Sequence, residues 1–205
     1  MANVNGAFGL KPINTFGSGP ATQGTNTYFI ASNASAIYQG SLVKAELTGG
    51  TIQITTAAAD GVQHLGVFAG CEYVSSTTGK KVFSNYWPGS GADTNFDIVG
   101  FVYDNPMQRF IISADEANTD RDTAKADIFK TATLASGTGG STTTGISSTA
   151  LDISTAEDTD TSNPLMILGL YEDPENSDHT AANATYIVKI NNHALMSSDV
   201  DATAS

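Results

Sequence analysis

The chain is poor in the residues that most often carry chemistry. Its 205 residues hold one cysteine, three histidines, one tryptophan and nine Lys and Arg against 21 Asp and Glu. A lone cysteine, Cys71, excludes an intrachain disulfide. A formal charge of −12 repels phosphate backbones and anionic lipid, so neither nucleic acid nor a membrane is expected as a partner. No window approaches the ~18 consecutive apolar residues of a membrane-spanning helix. The opening stretch, MANVNGAFGLKPINTFG, has no basic segment and no apolar run of signal-peptide length. Folding and assembly in a reducing compartment are therefore expected.

Motifs for catalysis are scarce as well. Gly17-Ser18-Gly19 and Gly89-Ser90-Gly91 lack the strand-turn-helix setting that exposes a nucleophilic serine. No phosphate-binding glycine loop precedes a helix. His64, His179 and His193 are far apart in the chain and form no metal-ligand spacing. An EF-hand reading from Asp173 fails, because the sixth position is Asp178 where Gly is needed and the twelfth is Ala184 where Glu is needed. Solvated acidic loops are the expectation there. A carboxylate pair of the glycosidase type is conceivable among so many acids, but nothing in the sequence selects one. No catalytic residue, metal or cofactor is expected.

What the chain does have is Thr, Ser, Asn, Ala and Gly around short apolar runs, a composition suited to strands and turns. Strands are expected at 27–31, 41–47, 51–55, 65–74, 80–84, 96–103, 107–113, 164–171 and 184–191, with turns at Gly49-Gly50, Asp60-Gly61, Thr78-Gly79 and Asn105-Pro106. In 65–74, Leu65, Val67, Ala69, Cys71 and Tyr73 fall on one face, which makes Cys71 a small core residue with no basic neighbour to activate it. The run 96–103 is apolar on both faces, hence central or bulged at Gly100. The only candidate helix lies in 114–130, where Ala117, Arg121, Ala124, Lys125 and Ile128 could share a face. The expected fold is all-β, a β-barrel or β-sandwich of about ten short strands with an extended N-terminal arm.

The arm is residues 1–24, rich in Gly, Asn, Thr and Pro, with apolar Phe8, Leu10, Ile13 and Phe16 that point to packing on a partner. Residues 25–196 form a single β-rich domain, with flexible loops near 136–149 and 154–163, and 197–205 form an acidic tail. Charge is asymmetric. The first 45 residues hold no acid and only Lys11 and Lys44, whereas 145–205 hold ten acids and one base, Lys189. Trp87, in Tyr86-Trp87-Pro88, reads either as a ring closing one end of a barrel or as an interface anchor.

Several segments taken in order resemble the small β-rich capsid cement (decoration) proteins of tailed bacteriophages. They are Asn5-Gly-Ala-Phe-Gly-Leu-Lys-Pro12, Tyr28-Phe-Ile-Ala31, Gly40-Ser-Leu-Val43, Leu65-Gly-Val-Phe-Ala-Gly-Cys-Glu-Tyr73, Phe83-Ser-Asn-Tyr-Trp-Pro-Gly89, Tyr103-Asp-Asn-Pro-Met-Gln-Arg-Phe110, Pro164-Leu-Met-Ile-Leu-Gly-Leu170 and Ile190-Asn-Asn-His193. The resemblance implies a structural, non-enzymatic virion protein, assembled in the host cytoplasm and placed on the outer surface of the icosahedral capsid. It implies the major capsid protein as partner and a homotrimer as the assembly. The arm residues Phe8, Leu10, Lys11, Ile13 and Phe16 are then expected to contact the capsid, and deletion of 2–17 to leave the rest folded. A neck, tail or fibre subunit is the alternative reading of the same texture.

Overall fold

A computed structural model describes residues 6–17, 24–55, 62–135, 139–157, 162–176 and 178–196. The expected Asp60-Gly61 turn, the acidic tail 197–205 and parts of both low-complexity stretches lie outside these residues.

Among the described residues, twelve strands form two six-stranded sheets. One contains β2 (Asn26–Ile30), β3 (Leu42–Glu46), β4 (Thr51–Ile54), β5 (Gly66–Val74), β6 (Lys81–Ser84) and β7 (Ile98–Tyr103), in the order β3-β4-β2-β7-β5-β6. A further pairing of β3 with β5 closes five of them into a barrel and leaves β6 outside as a flap. All its pairings are antiparallel except β2 with β4. A five-stranded barrel has a narrow interior, filled by side chains alone. Here these include Ile30, Val43, Ile52, Ile54, Phe68, Cys71, Ile98 and Val102. Gly100 is the residue in the middle of β7 because a Cβ there would lie 3.0–3.1 Å from Ile30, Ile52 and Phe68. Thus β7 is central between β2 and β5, and the bulge is not at Gly100 but on β5, between Phe68 and Gly70.

That bulge corrects the expected single apolar face of β5. Side chains alternate along a regular strand, and one extra residue reverses the alternation. Phe68 and Cys71 therefore enter the barrel, whereas Val67 points to the other core; Leu65, just before β5 begins, packs with the barrel cluster.

The second sheet contains β1 (Lys11–Thr15), β8 (Gln108–Ser113), β9 (Thr131–Ala135), β10 (Ala150–Glu157), β11 (Leu165–Leu170) and β12 (Thr185–Ile190), in the order β1-β8-β12-β11-β9-β10, all antiparallel. It curls until β10 meets the end of β8 through an Ala114–Leu151 bridge. Phe110 and Ile112 of β8, Tyr186, Val188 and Ile190 of β12, and Leu134, Leu151, Leu165 and Ile167 meet inside. Leu42 and Val67 of the barrel join this core, so the two sheets share one apolar seam.

The candidate helix reduces to one short piece, α1 (Arg121–Ala126), with only Ala124 buried. Asp120 starts it, accepting the Thr123 N–H at 2.7 Å. The expected loop near 154–163 is corrected in part, since Ser154–Glu157 complete β10. The described part of the expected loop near 136–149, residues 139–149, lies outside the strands but is pinned to the rest of the chain. Ser147 and Thr149 are buried, and Gln39 N–H donates to Gly145 O at 2.9 Å while Ser147 N–H donates to Gln39 O at 2.9 Å. Gly140 lies so flat on Tyr38 that a Cβ would stand 2.2 Å from the ring. The small residues there serve close approach rather than looseness.

Candidate functional site

The five residues of the N-terminal segment that were expected to contact a partner separate into two groups. The chain from Phe8 to Leu10 threads between the two sheets. Gly9 N–H donates to Thr149 O at 3.2 Å, and Leu10 N–H donates to Gly40 O at 2.8 Å. Gly9 takes φ +71°, and a Cβ there would lie 2.7 Å from Gly40 O and 2.9 Å from Ser147 Cβ. Only glycine fits this crossing. Leu10, 2% exposed, then drops into the shared seam.

Leu10 is thus a core residue of its own chain, not an arm contact held out to a partner. Residues 11–15 continue as β1, the edge strand beside β8. Deleting 2–17 would remove a buried side chain and an edge strand, so the expectation that the remainder keeps its fold is withdrawn. Pro12 and Lys11 on this edge discourage further strand pairing, because Pro offers no N–H and Lys carries charge.

The other four named residues reach the surface. Lys11 is exposed and its Nζ lies 5.5 Å from the Phe8 ring centre; Phe8 and Ile13 are half-buried. Phe16 is 42% exposed, with the Arg109 guanidinium 5.2 Å from its ring centre. Both are cation–π contacts that keep a phenyl ring and a cation together at the surface.

Trp87 is fully buried. Its indole N–H donates to Ala34 O at 3.2 Å, and its ring meets Tyr73 edge-on at 5.4 Å. It closes the barrel and is withdrawn as an interface anchor. Cys71 is buried, donates weakly to Tyr86 O at 3.4 Å, and burial pushes its thiol up to about 12.

The histidines behave differently from their sequence spacing. His64 and His193, remote in the chain, are bridged through their backbones: His64 N–H donates to Asn192 O at 2.8 Å and Ala194 N–H donates to His64 O at 2.9 Å. Both are buried, and burial lowers both pKa values, His64 to about 4 with smaller contributions from the charges of Lys44 and His193. Thr55 Oγ1 lies 3.3 Å from His64 Nδ1. This pair fastens one sheet to the other. Among the described residues, no three His, Cys, Asp or Glu gather as a metal site.

Residue reading also missed Asp104, a buried carboxylate at the end of β7. It accepts from Asn26 Nδ2 at 2.8 and 3.0 Å and from the Tyr28 hydroxyl at 2.5 Å. Burial, and then Asp104 itself, raise the Tyr28 pKa. The short pattern Tyr103-Asp-Asn-Pro106 was visible, but the partner strand was not. Asp173 and Asp178 hold turns locally, accepting the N–H groups of Glu175 at 2.9 Å and Thr180 at 3.0 Å.

Among the surface clefts formed by the described residues, two flank β1, β8 and β12, one at each end of these strands. The first, about 330 Å³, lies among Phe8, Lys11, Ile111, Tyr171, Asp173 and Glu175. The second, about 420 Å³, lies among Phe16, Met107, Lys189, Ile190, His193 and Met196. Met107 and Met196 are 50% and 65% exposed, so the second cleft has an apolar rim.

The chain matches no protein-family model, no curated protein and no solved structure. The functional reading therefore stands on the residues.

Proposed function

We propose that this is a structural virion protein that binds the outer surface of an icosahedral capsid and stabilises contacts between major capsid protein subunits. The carrying observation is the ordered set of eight segments that resembles the capsid cement proteins, from Asn5-Gly-Ala-Phe-Gly-Leu-Lys-Pro12 to Ile190-Asn-Asn-His193. The places these segments occupy support the reading. They supply the threaded Phe8–Leu10 crossing, the Leu42 and Val67 seam, the Trp87 closure and the His193 fastening. In a protein whose task is to hold a shape, the segments that set the shape are the ones that define the family texture.

The mechanism needs no covalent step. Many copies, each bound through modest contacts and joined as homotrimers, raise the effective concentration of every contact on the shell. Acidic loops keep the free protein soluble and monomer aggregation low. The test is cosedimentation of the purified chain with expanded empty shells of the capsid protein, with gel stoichiometry. Saturable binding at a fixed ratio to the shell subunit is expected. A folded protein that fails to bind intact shells overturns the reading and moves it to a neck, tail or fibre subunit, which is present in few copies per particle. Light scattering of the free protein checks the trimer.

A further inference from the structure

Three of the nine basic side chains stand on one face of one sheet. Lys11 of β1 lies opposite Ile111 of β8, which lies opposite Ile187 of β12. Arg109 and Lys189 alternate with the core-facing Phe110 and Val188, so they share this outer face. Four other cations, Lys81, Arg121, Lys125 and Lys130, pair with Glu72, Glu172, Asp122 and Asp127. Lys11, Arg109 and Lys189 form no ion pair among the described residues. Asp173 and Glu175 line the first cleft with Lys11 but do not reach it.

Two buried donors sharpen this. Arg109 Nε is buried without a hydrogen-bond partner, and so is His193 Nε2. His193 Nδ1 accepts the Leu195 N–H at 3.1 Å, which leaves the ring proton on Nε2. His193 is 4% exposed and lines the second cleft beside Lys189. In a chain of net charge −12, unpaired cations, unused donors and half-buried isoleucines on one face fit one chemistry. It has acceptors and negative charge, interleaved with apolar groups. A strand of six residues gives the face a length of roughly 20 Å, which suits an extended segment better than a lone anion.

We propose that the outer face of β1, β8 and β12 docks an extended acidic segment of the partner polypeptide. Its carboxylates meet Lys11, Arg109 and Lys189, and an apolar side chain seats in the second cleft beside Phe16 and Met107. This inference rests on the capsid-binding reading for the partner's identity only.

The experiment compares the full chain with K11Q/R109Q/K189Q and with a control of equal charge change, K80Q/K81Q/K125Q, after equal melting confirms folding. K11Q/K189Q, which keeps half-buried Arg109, replaces the triple variant if that one does not fold. Each partly exposed ion pair is worth about two- to fivefold, so shell binding should weaken roughly tenfold to a hundredfold in the face variant and about twofold or less in the control. Unchanged binding of the face variant, or equal loss in both, overturns the face while leaving capsid binding intact. If the natural chain binds no shells, the capsid reading fails. A labelled 12-residue peptide of alternating Asp and Leu then decides the face by fluorescence polarisation. Saturable binding lost in the face variant sustains it, and no binding overturns it. Loss of self-association in the face variant would instead make a second copy the occupant and overturn the partner assignment.

Discussion

Replacing Leu10 by Ala separates a structural N-terminal segment from a docking arm. Leu10 is 2% exposed and packs with Leu42, Val67 and the β8–β12 core, where both sheets meet. Cutting a buried Leu to Ala removes its transfer free energy and leaves a cavity, costing about 3 kcal/mol within a range of roughly 2–5. The seam is held on one side by the Gly9–Gly40 crossing, which limits collapse around the hole. For a domain of this size each kcal/mol moves the melting temperature by about 2–4 °C, so a fall of roughly 6–12 °C is expected. Urea melts followed by circular dichroism should show a lower midpoint at unchanged slope. Phe16→Ala, at a 42% exposed site whose contact is a surface cation–π pair, should cost less than about 1 kcal/mol. A Leu10→Ala shift under about 2 °C, or one no larger than that of Phe16→Ala, would refute the seam and return Leu10 to the surface.

Trp87→Phe should lose about 1–3 kcal/mol, since it vacates volume and strands Ala34 O; native fluorescence that acrylamide readily quenches would contradict the burial. Cys71 should resist Ellman's reagent until the protein unfolds, because the thiol is buried and its pKa is pushed up; rapid labelling of folded protein would refute this. His64 is held near pKa 4 when folded against 6.5 when unfolded, so the unfolded chain binds the proton first. Its stabilising share is complete above pH ~6.5 and falls by about 3 kcal/mol as pH drops toward 4. His64→Gln should flatten the stability curve between those limits, with His193 supplying a smaller slope of the same sign; an unaltered curve would remove His64 as the cause.

The strands legible in the chain were those with strong local contrast. The run 51–54 alternates polar and apolar residues, and it buries Ile52 and Ile54 as that alternation requires. The strands β9 and β10 escaped notice because Thr, Ser and Ala dominate them, and such residues signal a loop and a small-residue strand equally well. β1 escaped because Pro12 and the flanking glycines break every local window, although an edge strand tolerates both. Of the candidate surface, Phe8, Lys11 and Phe16 were expected from sequence as contact residues, but Arg109, Lys189 and His193 were not. Nothing local marks them. They become a set only when β12 is laid beside β8.

The chain by itself therefore determined the all-β class, the sites of most turns, the inert character of Cys71 and the acidic, cysteine-poor exterior, because composition and two-residue periodicity act over short range. Only the tertiary structure decided that Leu10 belongs inside, that Trp87 closes the barrel, that His64 meets His193, and that three cations share one face. Each of these depends on which strand lies next to which, and pairing between residues some 50 to 130 positions apart leaves no trace in a local window.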